Sequence, residues 1–158
     1  MRKIDSLFNE YGESHQTRFN KRIHYICVPA IFFSIIGLLS CIPFSADFIK
    51  GGLAPYIHWG SIGLVAGLLY YLRLSVPVFI GMTLFSIFVV WGNYQLAQLH
   101  LLPFWLLSLL IFVVAWIFQF IGHNHEGKKP SFLKDLQFLL IGPGWIMGAV
   151  YRWLGVKY

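Results

Sequence analysis

Three histidines that lie far apart in the sequence are the residues best placed to do chemistry. His15 and His24 come just before the first long apolar run, and His123 closes another, residues 101–122. Glu126 follows His123 at a spacing of i, i+3, by which one helix can offer an imidazole and a carboxylate to the same metal. Mixed ligation with open positions suits non-haem iron, with zinc and manganese as alternatives.

The composition indicates what kind of element must bring these residues together. Of the 158 residues, 58% are hydrophobic and 11% are charged, and the mean hydropathy is +0.68. Soluble domains carry about 25% charged residues. The chain is therefore predicted to be an integral membrane protein, with the lipid bilayer as a partner and residues 1–158 as a single membrane domain.

The apolar runs predict an all-α fold, a multi-pass integral membrane helical bundle. A hydrocarbon core of roughly 30 Å needs about 20 helical residues. Four spanning helices are expected, at about 26–44, 57–74, 78–96 and 101–121. A further apolar segment at about 136–154 is broken at Gly142-Pro143-Gly144. We expect this C-terminal segment to be re-entrant or to lie in the membrane plane.

The basic residues predict the orientation of the bundle. With four spans, nine of them fall on the side of the N-terminus and Lys50 alone falls on the opposite side. Such a bias places the N-terminus in the cytoplasm. The three histidines then meet at the cytoplasmic face together with His125, whereas His58 and His100 lie at the other face. The membrane would be the inner membrane of a bacterium or the endoplasmic reticulum of a eukaryote.

The net charge of +6 also bears on the partners of the protein. The basic residues fall in short loops beside apolar runs, and this pattern indicates attraction to anionic headgroups. No nucleic acid partner is expected.

Two further polar residues are candidates for the site. Asn20 precedes His24 by i, i+4, so a helix would put both on one face. Asn20 and Glu126 are expected to complete the ligation or to orient the ligating imidazoles. A fourth ligand, if the metal needs one, is left open between His125, His58, Glu126 and water. The competing interpretation is that each histidine is a solvated interfacial anchor.

The order and spacing of several motifs resemble a known family. The motifs are Tyr11-x3-His15, Asn20-x3-His24-x4-Pro29, Trp116-x2-Gln119-x2-Gly122-His123-x2-Glu126-Gly127-x2-Pro130 and Gly142-Pro143. In these the chain resembles the membrane 2-hydroxy-fatty-acid dioxygenase family, long catalogued as a domain of unknown function and known from the fungal protein that degrades phytosphingosine. The resemblance extends from about Leu7 to Trp153.

The resemblance implies an Fe(II)-dependent dioxygenase that carries out α-oxidation. A 2-hydroxy fatty acid and O2 would give the fatty acid one carbon shorter, with loss of the carboxyl carbon and no need for 2-oxoglutarate. His15, His24 and His123 match the family's histidine positions and would hold the iron. The acyl tail would lie between the helices of the bundle.

Three other functions are open to the same residues. A zinc-dependent membrane lipid hydrolase would need no O2. A haem-binding or electron-transfer bundle would use two histidines as axial ligands. A non-catalytic membrane protein would hold no stoichiometric metal.

Overall fold

The computed structural model describes residues 2–44, 52–127 and 138–158. Within these ranges the fold is all-α, as predicted, with one short 3-10 helix over Ala54–Tyr56 and no strand. The six α-helices of the described ranges are α1 (Lys3–Gly12), α2 (Arg18–Ser40), α3 (Trp59–Leu74), α4 (Val76–Gln98), α5 (Phe104–His125) and α6 (Ile141–Trp153).

Three of these helices, α2, α4 and α5, are long and apolar enough to cross a membrane. They have 23, 23 and 22 residues, which is about 33–35 Å of helix. α3 falls on the remaining predicted span, but its 16 residues make about 24 Å of helix, which is short for the roughly 30 Å hydrocarbon core. A crossing by α3 stays a prediction.

The first spanning helix begins eight residues before the predicted start at residue 26. Thr17 caps α2, because its hydroxyl accepts a hydrogen bond from the backbone N–H of Asn20 at 3.2 Å. Pro29 therefore lies in the middle of α2 and not in its first turns. Since proline has no N–H, the carbonyl of Tyr25 lacks its usual helical donor.

Two later boundaries also differ from the prediction. α5 continues to His125, past the predicted end at residue 121, so His123 lies in its last turn. α6 begins at Ile141, so Gly142-Pro143-Gly144 form its first turn and do not break it. Proline is tolerated there because the first N–H groups of a helix have no helical acceptor. With 13 residues, α6 is about 20 Å long, and its re-entrant or in-plane placement stays a prediction; residues 136–137 lie outside the described ranges.

α2 and α5 run antiparallel and approach each other closely at two glycines. A Cβ at Gly122 would meet Oδ1 of Asn20, and a Cβ at Gly37 would lie 2.6 Å from both Asn93 Oδ1 and Ser108 Oγ. Small residues of this kind let the backbones of membrane helices come together. The start of α2 is thereby fixed beside the end of α5.

The amphipathic helix α1 covers the end of the bundle at which α2 begins. Its buried residues Ile4, Phe8 and Tyr11 recur at i, i+4 and i+7, which is one face of a helix. They pack in one apolar cluster with Tyr71 of α3 and Trp145 of α6. α1 and α6 thus lie at the same end of the bundle as the start of α2 and the end of α3.

Gly37→Ala should destabilise the bundle. The added methyl group overlaps two buried side chains, and overpacking costs about 1–3 kcal/mol, more than the roughly 1 kcal/mol that alanine gains over glycine within a helix. Gly63→Ala is the matched control, because a Cβ there meets nothing within 4 Å. Thermal unfolding in detergent should show a lower Tm for Gly37→Ala and an unchanged or higher Tm for Gly63→Ala; equal shifts would contradict the close approach.

Candidate metal centre

His15, His24 and His123 come together at one end of the bundle. One ligand atom of each imidazole lies within 4.8 Å of the other two. The ring centroids are 4.2 Å apart for His15 and His24, 4.8 Å for His24 and His123, and 5.1 Å for His15 and His123. All three side chains are buried, with exposed fractions of 1%, 1% and 3%. The four-span arrangement expected from the sequence predicted that these three histidines would meet.

Three different elements supply these imidazoles. His15 lies in the turn between α1 and α2, His24 in the second turn of α2, and His123 in the last turn of α5. The antiparallel contact of α2 with α5 brings the last two together. α1 places the first, because the ring of Tyr11 stacks on that of His15 at a centroid distance of 4.3 Å.

Backbone carbonyls orient two of the three rings. Nδ1 of His15 is 2.6 Å from the carbonyl oxygen of Tyr11, and Nδ1 of His24 is 3.0 Å from that of Asn20. Because a carbonyl can only accept, each Nδ1 carries the proton, and each Nε2 keeps the lone pair that binds a metal. Nε2 of His24 is buried and has no hydrogen-bond partner among the described residues. A cation at the centre of the cluster would satisfy this costly buried acceptor.

The donor set fits a transition-metal ion. Neutral imidazoles suit iron, zinc, copper and nickel. Three protein ligands leave coordination positions open to small molecules, as in catalytic metal sites. The three buried histidines could therefore hold a metal ion with room for further ligands.

Glu126 lies beside the cluster and binds the turn before α2. Its Oε1 accepts a hydrogen bond from the backbone N–H of Gln16 at 2.7 Å. Its Oε2 accepts from the hydroxyl of Thr17 at 3.1 Å and from the side-chain amide of Asn20 at 2.8 Å. The carboxylate thus ties the end of α5 to the start of α2.

Although His123 and Glu126 are spaced i, i+3, their side chains do not lie on one helical face. α5 ends at His125, so Glu126 is its C-terminal cap and is directed towards α2. Among the described residues, the group that could hold a metal consists of the three histidines.

The carboxyl group of Glu126 is held in its ionised form. Burial raises its pKa, but the hydrogen bonds from Gln16, Asn20 and Thr17 together lower it by more, so the pKa lies below its ordinary value. By linkage, this stabilisation is present above the pKa of the unfolded chain and is lost as the pH falls through the lower folded pKa.

Asn20 connects the carboxylate to the cluster. Its side chain is fully buried, its Nδ2 donates to Glu126, and its backbone carbonyl accepts from His24. The predicted i, i+4 relation to His24 is present on α2. Of the two predicted roles, ligation and orientation, this geometry favours orientation.

The other histidines lie outside the cluster. His125 is exposed, and its ring packs against Phe19 at a centroid distance of 4.7 Å. His58 caps the start of α3 at the opposite end of the bundle. His100 lies in the turn between α4 and α5 in a left-handed conformation, with φ 51°. Within the described ranges, no fourth imidazole therefore joins the three.

Trp145 is a neighbour of the cluster that was not predicted from the sequence. Its ring centroid is 5.8 Å from that of His15 and 5.4 Å from that of Tyr11. Gly142 permits this packing, because a Cβ there would lie 3.1 Å from the hydroxyl of Tyr11. The feature of the sequence that could have indicated it is an aromatic residue directly after Gly142-Pro143-Gly144. No feature of the sequence indicated that Gln16 and Thr17 would contact the carboxylate of Glu126.

The fold and the cluster define an α-helical bundle of membrane type with a buried three-histidine centre at one end. The profile of one protein family, 2-hydroxy-palmitic acid dioxygenase Mpo1-like, matches residues 1–154. The chain belongs to this family, which confirms the resemblance seen in its motifs. No curated protein and no solved structure matches the chain.

Replacing Glu126 by glutamine should weaken metal binding without removing a ligand. The amide puts an N–H₂ group among donors from Gln16, Thr17 and Asn20, so the turn that carries His15 is held less firmly. Loss of such an outer partner lowers metal affinity by about 10–100-fold. Titration of the apoprotein with Co(II), followed by its visible absorption, measures the affinity.

The matched control for this variant is Glu10→Gln, at an exposed position of α1. Its affinity should equal that of the wild type. An unchanged affinity in Glu126→Gln would show that the carboxylate does not support the site, and complete loss would show that it is a ligand.

Proposed function

We propose that the protein is an Fe(II)-dependent dioxygenase that carries out the α-oxidation of 2-hydroxy fatty acids. The observation that carries the proposal is the buried cluster of three histidines at the end of apolar helices, in a chain that belongs to a family described as 2-hydroxy-palmitic acid dioxygenase Mpo1-like. The substrates would be the 2-hydroxy acid and O2, and the products the fatty acid one carbon shorter, CO2 and water, with O2 as the oxidant.

His15, His24 and His123 would hold the iron, the first two through Nε2 because their Nδ1 atoms bind carbonyls. Bound Fe(II) would supply electrons and open positions for O2 and for the hydroxyl and carboxylate oxygens of the substrate. The polar head of the acid would thus lie at the end of the bundle. Its tail would remain among apolar side chains.

The residues around the cluster keep it dry and in place. Tyr11 and Trp145 pack on the ring of His15. Asn20 and Glu126 act as positioning residues, since they fix the turn and the carbonyl that orient the imidazoles. A site that excludes bulk water favours coordination by the substrate and limits side reactions.

We also propose that the site faces the cytoplasm and that residues 1–158 form one membrane domain. Lys21 and Arg22 at the start of α2, and Arg73 at the end of α3, lie at the end of the bundle that carries the cluster. Basic residues at the ends of spans favour the cytoplasmic side. Lys50, the basic residue expected on the opposite side, lies outside the described residues. The host membrane would be an inner membrane in bacteria or the endoplasmic reticulum in eukaryotes.

The arrangement of the imidazoles argues against the haem alternative. Two axial histidines must face each other across a porphyrin ring. Here the third imidazole has its centroid within 5.1 Å of both others, so it stands where the ring would have to lie. The zinc-dependent hydrolase alternative would need no O2, whereas the dioxygenase would consume it. An experiment can therefore distinguish the two.

Each of the substitutions His15→Ala, His24→Ala and His123→Ala should abolish stoichiometric metal binding. Elemental analysis of anaerobically purified protein should give about one iron per folded wild-type chain, because the described residues form one three-histidine group. His125→Ala is the matched control: it removes an exposed imidazole two residues from His123 and should keep the iron. Iron retained in any of the three variants would remove that residue from the ligand set.

Iron-loaded wild-type protein in lipid nanodiscs should convert 2-hydroxyhexadecanoic acid to pentadecanoic acid with consumption of O2. Mass spectrometry measures the product and an oxygen electrode the co-substrate. Product should be absent under nitrogen and from zinc-loaded protein. Lipid cleavage by zinc-loaded protein under nitrogen would instead establish the hydrolase.

A further inference from the structure

An apolar groove lies between α2, α3 and α4, below the end of the bundle that carries the histidines. Its volume is about 160 Å³, and its lining is almost wholly apolar. Ile35 and Leu39 of α2 and Gly63 of α3 line it, together with Leu139 and Leu140 just before α6. Such a lining suits an acyl chain and offers little to a polar ligand.

A small cavity lies between this groove and the histidine cluster. Its volume is about 20 Å³, and it is lined in part by Tyr11, Gln119 and Leu139. Tyr11 stacks on His15, and Gln119 is buried one helical turn before His123. Leu139 lines the cavity and the groove alike. Leu139 therefore lies between the small cavity and the groove.

The distances fit a long acyl chain whose head is at the cluster. Along α2, the groove extends from Phe32 to Leu39. These residues are eight and fifteen positions beyond His24, which is about 12 and 22 Å of helix. An acyl chain of a bilayer leaflet spans about half of the roughly 30 Å hydrocarbon core. The groove is thus reached only by the distal part of a long chain.

Gly63 leaves the far part of this groove open. A Cβ at this position would meet nothing within 4 Å, whereas one at Gly67, a turn later, would lie 3.3 Å from Cδ2 of Leu140. Gly63 is exposed and lines the groove, so a larger side chain at position 63 would extend into open space beside the groove. The neighbouring residue Ile62 is exposed and is not among the lining residues.

We propose that this groove binds the distal methylene groups of the 2-hydroxy fatty acid, and that Gly63 sets the longest chain that it accepts. The inference rests on the proposed function, because the occupant is the substrate of the histidine centre. The chain would pass from the cluster, beside Tyr11 and Leu139, into the groove. Selectivity for long chains then follows, since a short chain ends before it reaches Phe32.

Photolabelling of the wild-type protein tests the occupant directly. The probe is 2-hydroxyhexadecanoic acid with a diazirine at its terminal carbon, used with full-length protein in lipid nanodiscs. Peptide mapping should find the label at groove residues such as Ile35, and unlabelled 2-hydroxyhexadecanoic acid should compete it away. Label at exposed positions such as Leu84 should resist competition, because it reports bilayer contact. Groove labelling that is absent or not competed would overturn the proposal.

The substitution Gly63→Phe tests the length limit. It should abolish the competed label and lower kcat/KM for 2-hydroxyhexadecanoic acid by at least about ten-fold, because several buried methylene groups lose their contacts. Turnover of 2-hydroxyoctanoic acid and iron content should stay at wild-type values. Ile62→Phe is the matched control and should change neither.

The two proposals fail in different ways. If the wild-type protein turns over no 2-hydroxy acid of any length, the dioxygenase proposal fails. If it turns over both acids and Gly63→Phe lowers both equally or neither, the groove proposal fails and the dioxygenase stands. Competed groove labelling without turnover would leave an acyl-binding groove in a protein of another activity.

Discussion

The close antiparallel contact of α2 with α5 is the constraint on which the rest of the structure depends. Apolar helices in a membrane gain nothing from hydrophobic association with one another, so packing and hydrogen bonds must hold them together. Gly37 and Gly122 let the two backbones approach. That approach brings His24 to His123 and lets Glu126 reach the first turn of α2. A larger residue at either glycine would separate groups that must meet.

The location of the polar groups follows from the same constraint. Helix ends carry backbone N–H groups with no helical acceptor, and a carboxylate placed there also benefits from the positive end of the helix dipole. Glu126 lies at such an end, because it accepts from the backbone N–H of Thr17, the N-cap of α2, and of Gln16 just before it. An ionised group can therefore sit beside buried imidazoles at the end of an otherwise apolar bundle. Deeper between the helices it would lack such partners and would be costly.

The sequence predicted the all-α fold and the meeting of the three histidines, because an even number of expected spans returns the chain to the side from which it started. It did not predict where α2 begins, since the N-cap at Thr17 is a local hydrogen bond that hydropathy does not register. The earlier start also places Pro29 in the middle of α2. The direction of the Glu126 carboxylate could not be predicted, because it depends on the exact end of α5 at His125. It also depends on a hydrogen bond from Gln16, about 110 residues away in the chain. The packing of Trp145 depends on the separate helix α6, and spacing along one helix carries no information about it.

His24 and His123 are 99 residues apart in the chain, yet their rings are in contact. A metal ion held by both would act as a cross-link that closes a loop of that length. For a disulfide, closing a loop of about 100 residues removes enough entropy from the unfolded chain to be worth about 4.7 kcal/mol at 25 °C. His15 would extend the cross-link to the segment that follows α1. The side chains proposed to serve the reaction would then also fasten the start of α2 to the end of α5.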